Sequence, residues 1–196
     1  MNRRAAWIVL AAACGGCAVA PVAPPSSPPD PESLQYWTAS GRLALAANGE
    51  GGSGSFTWQQ RSVESTLSIR GPLGAGAMQV TTDGDSLSVT DAEGRRLDTE
   101  QAGALLRRRL GTDLPLADLR YWMLGVPSPA SPSSVADAAV VPVRVIEQSG
   151  WRIGYETLTV AGGVLLPQRF TATQGAVRLK MVVDDWQLAA APRMGP

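Results

Sequence analysis

The residues able to do chemistry in this chain are few, and two of them stand together. Cys14 and Cys17 are its only thiols, and both close a short apolar run, Ala5 to about Ala13, that follows Arg3-Arg4. A basic start, an apolar stretch and small residues leading into a cysteine mark an export leader whose cysteine receives an acyl chain. A disulfide between the two would close too tight a loop to staple a fold, and the run is shorter than the roughly 20 apolar residues of a spanning helix. Cys17 is the preferred acceptor, because a boundary there gives the leader its longer apolar core. Cys14, preceded by Ala11-Ala12-Ala13, is the alternative.

Other chemistries are excluded by what the chain lacks. It has no histidine, and no cysteine after Cys17. Ordinary zinc and copper sites, catalytic thiols and Ser-His-Asp hydrolysis therefore have no residues to use. Asp184-Asp185 is the one adjacent acidic pair, but neighbours on a strand point to opposite faces and cannot easily share a substrate. Gly51-Gly52-Ser53-Gly54-Ser55 is not a nucleophile elbow, and Gly74-Ala75-Gly76 meets Gln79 where a dinucleotide loop needs its third glycine. No cofactor or metal is expected.

The elements that would carry a non-catalytic site are easier to read. Residues 1–16 form the leader, and 17–31 an acylated cysteine with a tether holding six of the fifteen prolines. In extended polyproline form such a tether reaches on the order of 40 Å. Residues 32–190 suit one domain with a sizeable core. Without Arg3 and Arg4 the chain carries 15 basic against 17 acidic residues, a balance that argues against a nucleic-acid partner.

Within the domain, short alternating segments closed by Gly, Asp or Pro predict antiparallel β-structure. Leu43, Leu45 and Ala47 share a face, as do Phe56 with Trp58, Leu67 with Ile69, Met78 with Val80, and Leu87 with Val89. Later come Val143 with Val145, Trp151 with Ile153 and Tyr155, and a strand carrying Leu179, Met181 and Val183. There the apolar phase moves at Trp186 and Leu188, which predicts a bulge or strand end near Asp184-Asp185. Asp91-Ala92-Glu93-Gly94 reads as a hairpin turn. One helix is expected from Glu100 to Leu110, with Thr99 as N-cap, Gly111 as stop, and a stripe including Leu105 and Leu106. A second follows Pro115 from about Leu116 to Leu124, presenting Leu119, and Ser128 to Ser134 reads as a surface loop.

The pattern is mainly β with some α: a curved antiparallel sheet whose concave side two short helices cover. Phe56, Trp58, Leu67, Ile69, Met78, Trp122, Trp151, Tyr155 and Met181 are the candidate lining of a cavity, and Leu105, Leu106, Leu116 and Leu119 its lid. A cavity so lined would take something apolar. From periodicity alone, the favoured reading is that the same residues simply pack against the helices as a core.

Gly41-Arg42-Leu43, Ser55-Phe56-Thr57-Trp58-Gln59 and Gly71-Pro72-Leu73-Gly74 stand in order along the chain. Leu110-Gly111 with Leu114-Pro115-Leu116, Leu119 to Pro127, Gly150 to Tyr155 and Arg178 to Trp186 follow. Together they resemble the LolB family of outer-membrane lipoprotein receptors across the whole domain. The resemblance implies an unclosed β-barrel with a helical lid, whose hydrophobic cavity accepts the acyl chains of a lipoprotein. The cargo would come from the periplasmic carrier LolA and pass into the inner leaflet of the outer membrane, with no covalent step. The partners are thus LolA, acylated lipoprotein cargo and outer-membrane phospholipid, with the chain acting as a monomer. By resemblance to other bacterial lipoproteins, an Asp after the acylated cysteine would retain the protein at the inner membrane. Ala18 or Gly15 stands there instead, which points to the outer membrane, periplasmic face.

Composition alone would fold Leu73 back into the core from its glycine- and proline-rich turn. The resemblance reverses this and makes Leu73, flanked by Pro72 and Gly74, the membrane-inserting residue. Arg42, Arg61, Arg95 and Arg96 are candidates for a basic surface toward an acidic carrier.

Overall fold

The computed structural model describes residues 30–71, 76–83, 86–110 and 115–189. A 3-10 turn at Pro31–Ser33 leads into β1 (Tyr36–Ala47), β2 (Glu50–Arg61), β3 (Glu64–Arg70), β4 (Met78–Asp83), β5 (Ser86–Asp91) and β6 (Arg96–Leu97). Helices α1 (Thr99–Leu110) and α2 (Leu116–Met123) follow, then β7 (Ser133–Asp137), β8 (Arg144–Gln148), β9 (Trp151–Ala161), β10 (Val164–Gln174) and β11 (Val177–Leu188). All strands join one sheet in the order β6-β5-β4-β3-β2-β1-β11-β10-β9-β8-β7. Chain neighbours pair antiparallel on either side of a single long-range seam, β1 against β11. The edge strands β6 and β7 do not pair with each other, so the barrel is unclosed.

Alternation makes one face apolar. Trp37, Ala39, Phe56, Trp58, Leu67, Val80 and Val89 point inward from the first half of the sheet. Ile146, Trp151, Ile153, Tyr155, Leu166, Phe170, Leu179, Met181 and Val183 do so from the second. Fully burying one such side chain stabilises the fold by about 1.5–3 kcal/mol, so this face holds the sheet and helices together.

The phase change on β11 is a bulge. Ser40 pairs with Asp185 and Gly41 with Val183, leaving Asp184 as the extra residue. A Cβ on Gly41 would run into the carbonyl oxygen of Val182, so glycine is required opposite the bulge.

Four local readings change. Val143 and Val145 are not the inward pair of β8: Arg144, Ile146 and Gln148 face in, opposite Tyr155, Ile153 and Trp151. Polar residues at two of those positions disguised the phase. β10 escaped notice, and β7 begins inside the segment read as a loop. At α1 the Asp98 carboxylate accepts from the Gln101 backbone N–H at 3.0 Å, so Asp98 caps the helix. Thr99 instead uses its hydroxyl on the backbone of Leu87.

Register sets the two ends of the sheet. One end carries the β1–β2 turn at Asn48-Gly49, Arg70 and the turn after Asp91, together with the turns at 149–150 and 175–176. Positive φ at Asn48 and Gly49 (53° and 82°) gives that first hairpin its two-residue turn. The other end carries Tyr36 beside Arg61, Trp37 beside Leu188, and the turns at 62–63 and 162–163.

Candidate functional site

On the inward face, α2 docks against β8 and β9. The rings of Trp122 and Trp151 lie 6.0 Å apart, and the Tyr155 hydroxyl donates to the Trp122 carbonyl oxygen at 2.8 Å. Burial pushes the Tyr155 hydroxyl pKa well above its ordinary value. Gln148, buried on β8, uses its whole carboxamide. Its oxygen accepts from the Trp122 indole N–H and the Ser128 backbone N–H, and its nitrogen donates to the carbonyls of Ser128 and Ser131.

The end of α2 is fixed as firmly. Gly125, at φ 78°, donates to the Trp122 carbonyl oxygen and Val126 to that of Tyr121, a helix stop that needs a left-handed residue. Arg144 donates to the Gly125 carbonyl oxygen at 3.1 Å and pairs with Asp137 at 2.7 Å, which holds the Asp137 carboxyl below its ordinary pKa. The Trp-Met-Leu-Gly-Val-Pro motif is therefore a docking device for the helix.

At one end of β1 to β4 the same face is open, because the sequence withholds a side chain there. On β2, Gly54 stands opposite Leu43 and Gly52 opposite Leu45. A Cβ on Gly54 would collide with the Arg70 carbonyl oxygen, whereas one on Gly52 would meet nothing within 4 Å. The result is a trough of about 360 Å³ lined by Leu43, Leu45, Ala47, Ile69 and Met78, with Glu50 on its rim. A second hollow of about 440 Å³ adjoins it, sharing Gly76 and Met78 and continuing past Val89 and Leu97 to Leu105 of α1. Both lie at the sheet end that carries Gly71 and Gly76. Arg95 sits on the rim of the second hollow, paired with Asp91 at 2.7 Å. A smaller hollow of about 140 Å³ at the opposite end mixes Leu34, Trp37 and Leu124 with Glu32, Gln60 and Arg120, and is less than half the size of the trough.

The structure divides the sequence-derived lining. Ile69 and Met78 border the open space. Phe56, Trp58, Trp122, Trp151, Tyr155 and Met181 are each at most 3% exposed, and Leu67 is nearly so, all packed in the hydrophobic core. Of the lid, Leu105 reaches the second hollow, Leu116 is half-buried and Leu119 is core. The side chain of Leu106, the residues Pro72, Leu73 and Gly74, and both cysteines lie outside the described residues. Leu43, Leu45, Leu97 and the glycines of β2 were missed as site residues. The signal for them was there: a strand reading Gly-Gly-Ser-Gly opposite Leu-Ala-Leu leaves those leucines uncovered. Of the basic candidates, Arg42 is tied to Asp184 at 2.9 Å on the outer face, and Arg61 and Arg96 are exposed.

Among the described residues no group of three or more metal-ligating side chains comes together, and no helix is long and apolar enough to cross a membrane. A family model described as Outer membrane lipoprotein LolB matches residues 35–186. The chain is 32% identical over 155 residues to the outer-membrane lipoprotein LolB of Stutzerimonas stutzeri, covering 79% of this chain and 75% of that one. It is 28% identical over 184 residues to the outer-membrane lipoprotein LolB of a Marinomonas species, covering 93% and 95%. Among solved structures, a DUF1329 family protein from Desulfovibrio piger aligns over 82% of this chain and 88% of its own with a TM-score of 0.50 at 8% identity, a likeness of fold alone. A matching model that spans the sheet from β1 to β11 and relatives of similar length place the chain in the LolB family of outer-membrane lipoproteins.

Proposed function

We propose that the chain is the outer-membrane receptor that takes lipoproteins from the periplasmic carrier LolA and inserts them into the inner leaflet of the outer membrane. The observation that carries this is the glycine-carved apolar trough, open at one end of the sheet and lined by Leu43, Leu45, Ala47, Ile69 and Met78. Each methylene of an acyl chain buried there contributes about 0.8 kcal/mol, and the open mouth leaves part of the chain uncovered. That moderation serves the cycle. Cargo must arrive from the carrier and then leave for lipid without ATP or a covalent step, so affinity has to rise from carrier to receptor to membrane.

In this reading Cys17 carries the acyl anchor on the periplasmic face, and the receptor works as a monomer. The loop holding Pro72, Leu73 and Gly74 presents Leu73 to lipid beside the trough, since its flanking residues Gly71 and Gly76 both border that space. Insertion of the leucine contributes up to about 1.5–3 kcal/mol.

The test mixes the domain from Ala18 onward with LolA carrying a radiolabelled palmitoylated lipoprotein, then adds phospholipid vesicles. Cargo should pass to the domain and then to the vesicles. Lipid binding without transfer would instead indicate a scaffold or another lipid-handling role, and turnover of an ester would indicate an enzyme.

A further inference from the structure

Resting on the receptor reading and on Cys17 as the acylated residue, we infer that the proline-rich tether is a measured spacer. It must be long enough to run the height of the domain, so that the trough can face the membrane holding the anchor. The observation is one of placement. The described chain begins at Asp30, and Glu32, Leu34 and Gln35 border the hollow at the sheet end formed by Trp37, Ser62 and Val63. The Ser62 N–H donates to the Gln35 carbonyl oxygen at 2.8 Å, which pins the start of the domain there. The trough opens at the other end, beside Gly71 and Gly76. Anchor exit and cargo mouth are therefore separated by the length of the strands.

That length can be compared with the tether. β1 and β2 each have 12 residues. At about 3.4 Å per residue they run roughly 40 Å, or about 30 Å along a barrel axis to which strands tilt by about 40°. Thirteen residue steps separate Cys17 from Asp30. A chain of that length spans at most about 45 Å fully extended, and about 40 Å in polyproline form. The reach exceeds the height by only a few residues. A tether much shorter than this would hold the mouth away from the anchor's own membrane, and delivery there would fall steeply, because a linker that cannot span its two sites gives an effective concentration near zero. Acceptance from a soluble carrier needs no such reach.

Deleting Ala20 to Ser27 leaves five residue steps, a reach of at most about 18 Å. The acylated full chain, this deletion, and a third form with eight Gly/Ser residues in place of the deleted segment are compared in phospholipid vesicles. Matching unanchored domains starting at Ala18 are run alongside, all supplied with LolA carrying palmitoylated lipoprotein. In the deletion, uptake from LolA should match the full chain while incorporation into its own vesicle drops by about tenfold or more. The Gly/Ser form should recover, and the unanchored deletion should deliver as well as the unanchored full-length domain. Incorporation at the full-chain rate by the anchored deletion would overturn the spacer role, as would an equal defect without the anchor. If the unanchored full-length domain took no cargo from LolA at all, the receptor reading would fall, and this one with it.

Discussion

The indole N–H of Trp122 donates to the carboxamide oxygen of Gln148 at 2.9 Å, and through this bond α2 is fastened to β8 inside the barrel. The same oxygen accepts from the Ser128 N–H, so two buried donors depend on one atom. Gln148→Leu keeps the volume and removes the one acceptor that both donors share. Leaving a buried donor unsatisfied costs about 1–3 kcal/mol, so the variant should lose about 3 kcal/mol in urea unfolding of the unanchored domain. A loss below about 1 kcal/mol would mean that α2 is held by apolar packing alone.

Tyr155 gives the fold an alkaline limit. Its hydroxyl is buried against the Trp122 carbonyl oxygen, and burial raises its pKa in the folded state. The native state thus keeps a proton that the unfolded chain releases above about pH 10, so this contribution is complete below that pH and shrinks as pH rises past it. Wild type should lose about 1.4 kcal/mol per pH unit more than Tyr155→Phe above that point. At neutral pH the variant should be weaker by about 1 kcal/mol for the missing hydrogen bond. Parallel alkaline limbs in the two proteins would show that Tyr155 is not the group responsible.

Met78 and Met181 separate cavity from core. Met78 is half-buried on the trough, whereas Met181 is 1% exposed in the core. Met78→Glu should cut uptake of palmitoylated cargo severalfold with a stability change within about 1 kcal/mol. Met181→Ala should cost about 2–5 kcal/mol while its folded fraction still takes cargo. Measuring the urea midpoint and uptake on both variants decides the matter, and equal loss of both properties at Met78 would make it core too.

The fold was largely legible because its signals are local. Alternation gave the inward faces of β1 to β5 and β11, the phase slip gave the bulge at Asp184, and Pro115 with Gly125 bracketed α2. The cavity was legible only in part. Aromatic inward residues look alike whether a helix lies on them, and it is α2 that turns Trp122, Trp151 and Tyr155 into core. The open space is made by the absent side chain at Gly52, which a search for apolar residues passes over. Gln148 and Arg144 hid the phase of β8, since their polarity suits the inside only because α2 and the segment after it present backbone groups to them.

Leu73 should govern the last step only. Leu73→Glu replaces the apolar side chain proposed to enter lipid and leaves the trough-lining leucines in the sequence, so the variant should fold and accept cargo from LolA at the normal rate. Transfer from receptor to phospholipid vesicles should fall sharply, by the loss of about 1.5–3 kcal/mol of leucine insertion. Normal incorporation of cargo by the variant would remove the loop from the mechanism.

Gly52 offers the most direct control of the trough. Its missing side chain faces Leu45 across the β1–β2 ladder, and a Cβ placed there meets no atom within 4 Å. Gly52→Ile should therefore enter without backbone strain, and a β-branched residue in place of strand glycine favours the sheet by up to about 1 kcal/mol. The isoleucine would occupy the space over Leu45 that an acyl chain needs. Stability should hold or rise while cargo uptake from LolA falls severalfold, the opposite sign from a core defect. Gly54→Ala is the counterpart: its Cβ meets the Arg70 carbonyl oxygen, so it should weaken the β2–β3 pairing and lower stability first. Undiminished uptake by a well-folded Gly52→Ile domain would mean that the acyl chain lies in the adjoining hollow along Val89, Leu97 and Leu105 instead.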